Sequence, residues 1–297
     1  MKLFSSLEGN KRTSIGPSSV EYKEVSTLLT KASGFMDGFD FTLNPYGGCT
    51  FGCTYCYAAF FARSDELRNS WGYWVQVKEN ALDLLAKKRK KPLTDKTIYM
   101  SSVTDPYQPV EKEVEITRSI LEELLKYHNP KLVIQTRSPL VTRDIDLLSQ
   151  FKHVQVNMTV TTDDEAVRKV FEPLCPSNEA RLNAIRKVRE GGINACVTMT
   201  PLLPVVDPHR LSRSLLETGV SHFVVQPFHA SKGKFVAGTR EQAINLIQAL
   251  GWDAARYHQT VEVIKSYIPQ LREGKEGFIP LWKQETSQAG SNLSETP

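Results

Sequence analysis

From Ile98 to Gln226 the chain alternates short apolar runs with longer amphipathic stretches, and this alternation limits the fold more than any other feature. Strands are expected at Ile98–Ser102, Leu132–Thr136, Val154–Val160, Ile193–Met199 and His222–Gln226. Helices are expected at Ile116–Tyr127, near Arg143–Gln150, at Asn178–Glu190 (which stops at Gly191-Gly192) and at Pro208–Glu217. Units of this length imply a parallel sheet with right-handed crossovers. Five or six units suit an incomplete barrel or an open doubly wound sheet, and the alternation alone does not separate them. Upstream, Asp37–Asn44 alternates apolar and polar positions as a strand does, and Tyr57–Arg63 is rich in helix-forming alanine. Glu241–Ala249 and Ala254–Ser266 read as terminal helices.

The bulk numbers fit one large α/β unit. The chain has 297 residues, 40% hydrophobic and 24% charged, and α/β barrels run to about 200–250 residues as a single domain. No apolar run approaches the roughly 18 residues needed to span a bilayer. The N-terminal MKLFSSLEGNKRTSIG is interrupted by Glu8, Lys11 and Arg12, so no signal-peptide core forms and a cytoplasmic location is expected. A net charge of +4 neither marks nor excludes a nucleic-acid partner. The division expected is an N-terminal extension over residues 1–36, a core over 37–235, a helical region over 236–283 and a disordered tail over 284–297. That tail has almost no apolar side chains.

The five cysteines are unevenly placed: Cys49, Cys53 and Cys56 crowd into GGCTFGCTYCYA, while Cys175 and Cys196 stand alone. A secreted disulfide framework belongs to smaller, cysteine-denser chains, and in a reducing compartment such a cluster holds metal. Gly48 and Gly52 permit the positive φ that a tight loop around a metal demands. Three thiolates on one loop suit an iron–sulfur cluster, leaving one iron open. Structural zinc wants four closed ligands; the nearest candidates for a fourth are His128 and Cys175, and that alternative stays open.

The spacing C-x3-C-x2-C, with the aromatic Tyr55 before the last cysteine, resembles the signature of the radical S-adenosylmethionine superfamily. The stretches LNPYGGCTFGCTYCYA, SSVTDPYQPVE, IQTRSPLVTRDIDLL and VTTDDEAVRKVFEP resemble its spore photoproduct lyase-like group over about Tyr22 to Pro269. The resemblance implies a partial (β/α)6 barrel of the TIM type over the core, with the cysteine loop following its first strand. It implies a [4Fe–4S] cluster on Cys49, Cys53 and Cys56, S-adenosyl-L-methionine chelated to the unique iron, and an electron donor such as flavodoxin or ferredoxin. It further implies reductive cleavage to a 5′-deoxyadenosyl radical that abstracts hydrogen from a substrate, which the sequence does not name.

In barrels of this kind the site gathers at the C-terminal ends of the strands. The resemblance places Tyr55 near the adenine, and Thr104 and Asp105 beside S-adenosylmethionine, where a plain Asp-Pro turn is the structural alternative. Arg137 offers a planar fork suited to the methionine carboxylate; its alternative is a surface ion pair. Thr161 is a candidate partner for the ribose or carboxylate. Gln226, Phe228 and His229 end the last strand, with His229 either a proton-transfer group or a structural histidine.

Spore photoproduct lyases carry a hydrogen-donating cysteine just before a Thr-Ser-Asp stretch, and here Ser102 occupies that place. A serine O–H bond is too strong to substitute. Cys196 is the alternative hydrogen donor if it points into the barrel, although buried free cysteine more commonly serves as packing; the same holds for Cys175. The run Lys87–Lys91 and the aromatics Trp71, Tyr73 and Trp74 suit either a nucleic-acid face or a solvated helix end beside barrel-covering side chains. Nucleic-acid lesion repair or base modification is therefore the runner-up activity. A non-enzymatic iron–sulfur or zinc protein is the third reading.

Overall fold

The structure is a computed structural model that describes residues 11–229 and 241–283. Its centre is a run of parallel strands: β1 (Phe41–Leu43), β2 (Thr97–Met100), β3 (Lys131–Thr136), β4 (Val154–Thr159), β5 (Asn194–Met199) and β6 (His222–Val225). Each pairs with the next in chain order. A doubly wound sheet would reverse its order at a switch point. This one never does, so right-handed crossovers carry it round in one direction as the wall of a barrel. Leu29–Lys31 closes one edge antiparallel to β1, and Arg272–Glu273 the other, parallel to β6. Among the described residues no pairing joins these two edges, as in a partial barrel.

Side-chain alternation separates the two faces of the wall. Ile98, Met100, Leu132, Ile134, Val156, Met158, Val197, Met199, Phe223 and Val225 belong to the large core, together with helix residues such as Ile120, Leu124, Ile185 and Leu215. The other face carries Tyr99, Val133, Cys196 and Val224, which form a smaller cluster with Phe39, Phe278 and Trp282. It also buries Gln155, Asn157, Thr159, Thr198 and His222. Buried polar side chains are more informative than buried leucines. Here they line the inside of the barrel.

The helices form where patterning and capping agree. Ile116–Tyr127 buries Ile116, Ile120, Leu121 and Leu124 at helical spacing, and the buried Glu111 carboxylate accepts from Thr117 N at 2.9 Å and Arg118 N at 3.3 Å in its first turn. Asn178–Glu190 starts at Ser177, whose hydroxyl accepts from Ala180 N. Near Arg143–Gln150 the helix expected is a 3₁₀ turn, Pro139–Asp144, followed by the short Ile145–Leu148. Tyr57–Phe61 is likewise 3₁₀.

Within the expected N-terminal extension, the described residues upstream of β1 form strands of their own. Ser18–Lys23 joins a second sheet, parallel to Trp74–Lys78, which runs antiparallel to Tyr46–Gly48. Its buried positions begin with Ser18, and a serine hides the apolar alternation. The expected disordered tail over 284–297 lies outside the described residues. No helix among them is long and apolar enough to cross a membrane.

Candidate cofactor site around the cysteine loop

The chain leaves β1, forms the strand Tyr46–Gly48 and enters the cysteine loop at Cys49. Gly48 has φ +70, and a Cβ there would lie 2.5 Å from the Trp74 ring and 2.7 Å from the Trp74 carbonyl oxygen. Gly52 has φ +58, and a Cβ on Gly72 would sit 2.8 Å from the Gly52 Cα. The loop is therefore pressed backbone to backbone against the turn at Gly72. Cys49, Cys53 and Cys56 are all free thiols, the first two buried and the third half-buried. Burial pushes the Cys49 thiol up and that of Cys56 to about 11. Cys53 is lowered, first by contact with Cys175 and then, against burial, by Arg137 and Arg181.

Three free thiols on one glycine-shaped loop, with spare positive charge beside them, match the donor set of an iron–sulfur cluster. Among the described residues no three His, Cys, Asp or Glu side chains converge as ligands of a single metal ion do; cubane ligands bind separate irons and stand further apart. His128, one candidate fourth zinc ligand, is buried beside Glu123 at 3.9 Å. Cys175, the other, lies 3.6 Å from Cys53, sulfur to sulfur.

The turn after β2 holds this loop. Thr104 Oγ1 donates to the Gly48 carbonyl at 2.5 Å. Gln108 Nε2 donates to Thr104 Oγ1 at 3.1 Å, while its Oε1 accepts from Thr50 N at 3.0 Å. The backbone is thus gripped on both sides of Cys49. Asp105 works in the other direction: its carboxylate accepts from Tyr107 N, from Thr136 Oγ1 at 2.7 Å and from Arg137 N at 2.8 Å, tying the end of β2 to the end of β3. Burial raises the Asp105 pKa even against these hydrogen bonds. Ser101 takes φ +85 and donates to the Thr104 carbonyl.

Three side chains singled out in the sequence converge on one that was not. The Tyr55 hydroxyl donates to Glu172 and accepts from Arg137 Nη2 at 3.1 Å. Arg137 Nε lies 3.5 Å from Glu172, and Thr161 Oγ1 donates to it at 3.1 Å. On the far side Arg181, fully buried, pairs with Glu172 at 2.6 Å. Burial works to raise the Glu172 pKa, but Arg181 and Arg137 reverse it and bring the carboxyl to about 2. One carboxylate thus serves two guanidiniums, and a positive charge is left over at Cys53.

Glu172 is the residue that sequence reasoning missed, together with its partner Arg181 and with Gln108. Its contact with Tyr55 spans 117 positions, and no spacing rule announces such a contact. Deeper in the barrel Gln135 Nε2 donates to Thr159 at 2.6 Å and Thr198 at 2.9 Å, while its Oε1 accepts from Tyr99 OH. Cys196 lies two positions before Thr198 on the same face, fully buried in the apolar cluster with Phe39, Phe278 and Trp282. It points into the barrel, as a hydrogen donor would have to, but its surroundings are those of packing, and burial pushes the thiol up. His229 is exposed at the end of the described segment following β6. Ser102 is fixed to Asn44, which donates to its hydroxyl at 3.2 Å and accepts from its N–H at 3.0 Å. In the basic run, Arg89 is taken up by a bidentate pair with Glu123 (2.7 and 2.6 Å) and stacks 3.7 Å from the Tyr127 ring centroid.

A parallel sheet wound in chain order, with a three-cysteine loop at the end of its first strand, defines the architecture of radical S-adenosylmethionine proteins. The family model described as Radical SAM superfamily matches residues 43–216, more than half of the chain, and the chain belongs to that superfamily. Its cofactors are accordingly a [4Fe–4S] cluster and S-adenosylmethionine.

Among its relatives, an uncharacterized protein of Methanocaldococcus jannaschii is 40% identical over 167 residues, covering 56% of this chain and 62% of that protein. An uncharacterized protein of the Acidianus two-tailed virus is 29% identical over 266 residues, covering 84% of this chain and 82% of its own. Spore photoproduct lyase, in a structure with bound AdoMet and dinucleoside spore photoproduct, shares the fold at TM-score 0.58 and 16% identity, covering 86% of this chain and 81% of the lyase.

Proposed function

We propose that the chain is a radical S-adenosylmethionine enzyme in which Cys49, Cys53 and Cys56 ligate the cluster. The observation that carries this reading is the loop of three free thiols, gripped on both sides of Cys49 by Thr104 and Gln108 and flanked by a surplus guanidinium. When bound, the cluster supplies the electron that splits a carbon–sulfur bond of S-adenosylmethionine, giving a 5′-deoxyadenosyl radical that takes hydrogen from substrate. Arg137, whose planar fork suits a carboxylate, holds the methionine end of the cofactor. Glu172 fixes Arg137 and the Tyr55 hydroxyl in place. Thr161 steadies Glu172, Asp105 anchors the backbone of Arg137, and a small acidic protein such as flavodoxin or ferredoxin delivers the electron.

The test is anaerobic reconstitution with iron and sulfide, addition of S-adenosylmethionine and dithionite, and assay of 5′-deoxyadenosine, with Cys53→Ala alongside. Deoxyadenosine from the parent protein alone supports the reading. A protein that takes up zinc and forms no cluster overturns it. A cluster whose spectrum ignores S-adenosylmethionine makes the chain a passive iron–sulfur protein.

A nucleic-acid substrate is the second reading, for lesion repair or base modification. Tyr57, Phe60 and Phe61 directly follow Cys56 and are exposed by 49, 39 and 63%. Exposed aromatic rings beside a reactive site are platforms on which unpaired bases stack. The Tyr57 hydroxyl reaches the Ser102 carbonyl, which ties this shelf to the end of β2. If the reading holds, Phe61→Ala weakens binding of a single-stranded oligonucleotide, and neutralising Lys87, Lys88, Lys90 and Lys91 flattens its salt dependence. Unchanged affinity in both variants removes nucleic acid from consideration.

A further inference from the structure

Cys53 and Cys175 are 122 positions apart in the sequence, yet their sulfurs lie 3.6 Å from each other, both buried and both free. Cys49 and Cys56 have no such sulfur partner among the described residues. The backbones around the pair are held together independently of the sulfurs. Thr54 N and Oγ1 both donate to the Phe171 carbonyl, at 2.8 and 3.2 Å. Tyr55 reaches Glu172, Cys175 N donates to the Glu172 carbonyl at 3.1 Å, and Arg168 Nη1 donates to the Cys175 carbonyl at 2.8 Å. A disulfide has its sulfurs about 2.05 Å apart. The gap left is about 1.5 Å, a displacement of the size that a change of side-chain rotamer makes.

We propose that Cys53 and Cys175 are a redox pair that joins in a disulfide when the cysteine loop carries no cluster. The oxidant is hydrogen peroxide, small enough to reach a buried thiol. One thiolate attacks a peroxide oxygen, the O–O bond breaks, and a sulfenic acid and hydroxide result. The second sulfur then attacks the sulfenyl sulfur, forming the S–S bond and releasing the oxygen as water. Two thiols are oxidised by two electrons, peroxide is reduced to two waters, and both thiol protons end in those waters.

The bond would spare Cys53 from irreversible oxidation to sulfinic acid and lock the loop to the Phe171–Cys175 segment until a dithiol reductant opens it. Its consequence for cluster loading rests on the reading of Cys53 as a ligand. Formation of the bond does not.

The test uses the full chain freed of iron, treated with peroxide, alkylated and digested without reductant for mass spectrometry. The expected result is one cross-linked pair of peptides, containing Cys53 and Cys175, that dithiothreitol separates. In Cys175→Ser, Cys53 instead accumulates sulfinic acid that dithiothreitol does not reverse. The oxidised parent takes up iron and sulfide only after reduction. Recovery of Cys53 and Cys175 as alkylated thiols, or of Cys53 joined to Cys49 or Cys56, overturns the proposal. If the disulfide forms but the reduced protein takes up no cluster, the pair stands and the ligand reading fails.

Discussion

Glu172 and Arg181 face each other at 2.6 Å with both side chains fully buried, and the rest of the candidate site is hung on that pair. Removing one partner from a buried ion pair leaves a charge without compensation and costs about 3–5 kcal/mol. Glu172→Gln, which strands both Arg181 and Arg137, is expected to destabilise the fold by that order in urea unfolding. Arg181→Met is expected to cost less, because Arg137 still faces Glu172 at 3.5 Å. Because the two losses share one interaction, the double variant should lose clearly less than their sum. Strict additivity would show that the pair is not coupled.

Gln108 is fully buried and touches no cysteine, yet it holds the backbone on either side of Cys49. Gln108→Leu has similar bulk and leaves Thr50 N–H and the Thr104 hydroxyl short of a partner. A buried group left unsatisfied costs about 1–3 kcal/mol. The variant should bind less iron and sulfide on anaerobic reconstitution while its far-ultraviolet circular dichroism stays that of the parent. Full loading would mean that the loop is shaped without this grip.

Two glycines make a matched comparison. Gly48 combines φ +70 with a Cβ position 2.5 Å from the Trp74 ring, whereas a Cβ on Gly38 would meet nothing within 4 Å. Gly48→Ala should therefore abolish cluster loading and lower the melting temperature. Gly38→Ala should change neither. Equal behaviour of the two would show that the approach of the loop to Trp74 is not needed.

Much of this was legible in the chain itself. Ile116–Tyr127 and Asn178–Glu190 fall where apolar spacing and end signals put them. The strands follow their expected runs to within a few residues, because the face turned to the helices carries Ile, Leu, Val and Met at alternate positions. Partial barrel and doubly wound sheet were indistinguishable because strand order is a long-range property. The cysteine loop is visible because its ligands are local, Tyr55 comes from the family resemblance, and Arg137 and Thr161 come from their places at strand ends. Glu172 was hidden for the opposite reason. Its partners come from the cysteine loop, two strand ends and one helix, so although VTTDDEAVRKVFEP carries the family resemblance, no local pattern within it singles out Glu172. Cys175 reads from the sequence as packing or as a distant fourth zinc ligand, and its contact with Cys53 depends on the same long-range folding.

His222 gives the pH behaviour a sign. It lies on the inner face of β6, 3.0 Å from the Gly277 carbonyl oxygen, and burial, with Arg272 adding, depresses its pKa to about 4. An unfolded histidine titrates near 6.5. Above pH 6.5 neither state is protonated, and this stabilisation is present in full. As the pH falls from about 6.5 towards 4, the unfolded chain binds a proton that the fold refuses, so stability declines. Below the folded pKa the decline from this residue stops. The loss available over that window is about 3 kcal/mol. Urea unfolding across it should show a shallower fall for His222→Gln, whose amide can still donate to Gly277 but does not titrate. Parallel curves for parent and variant would mean that His222 takes its proton as readily in the fold as in the unfolded chain.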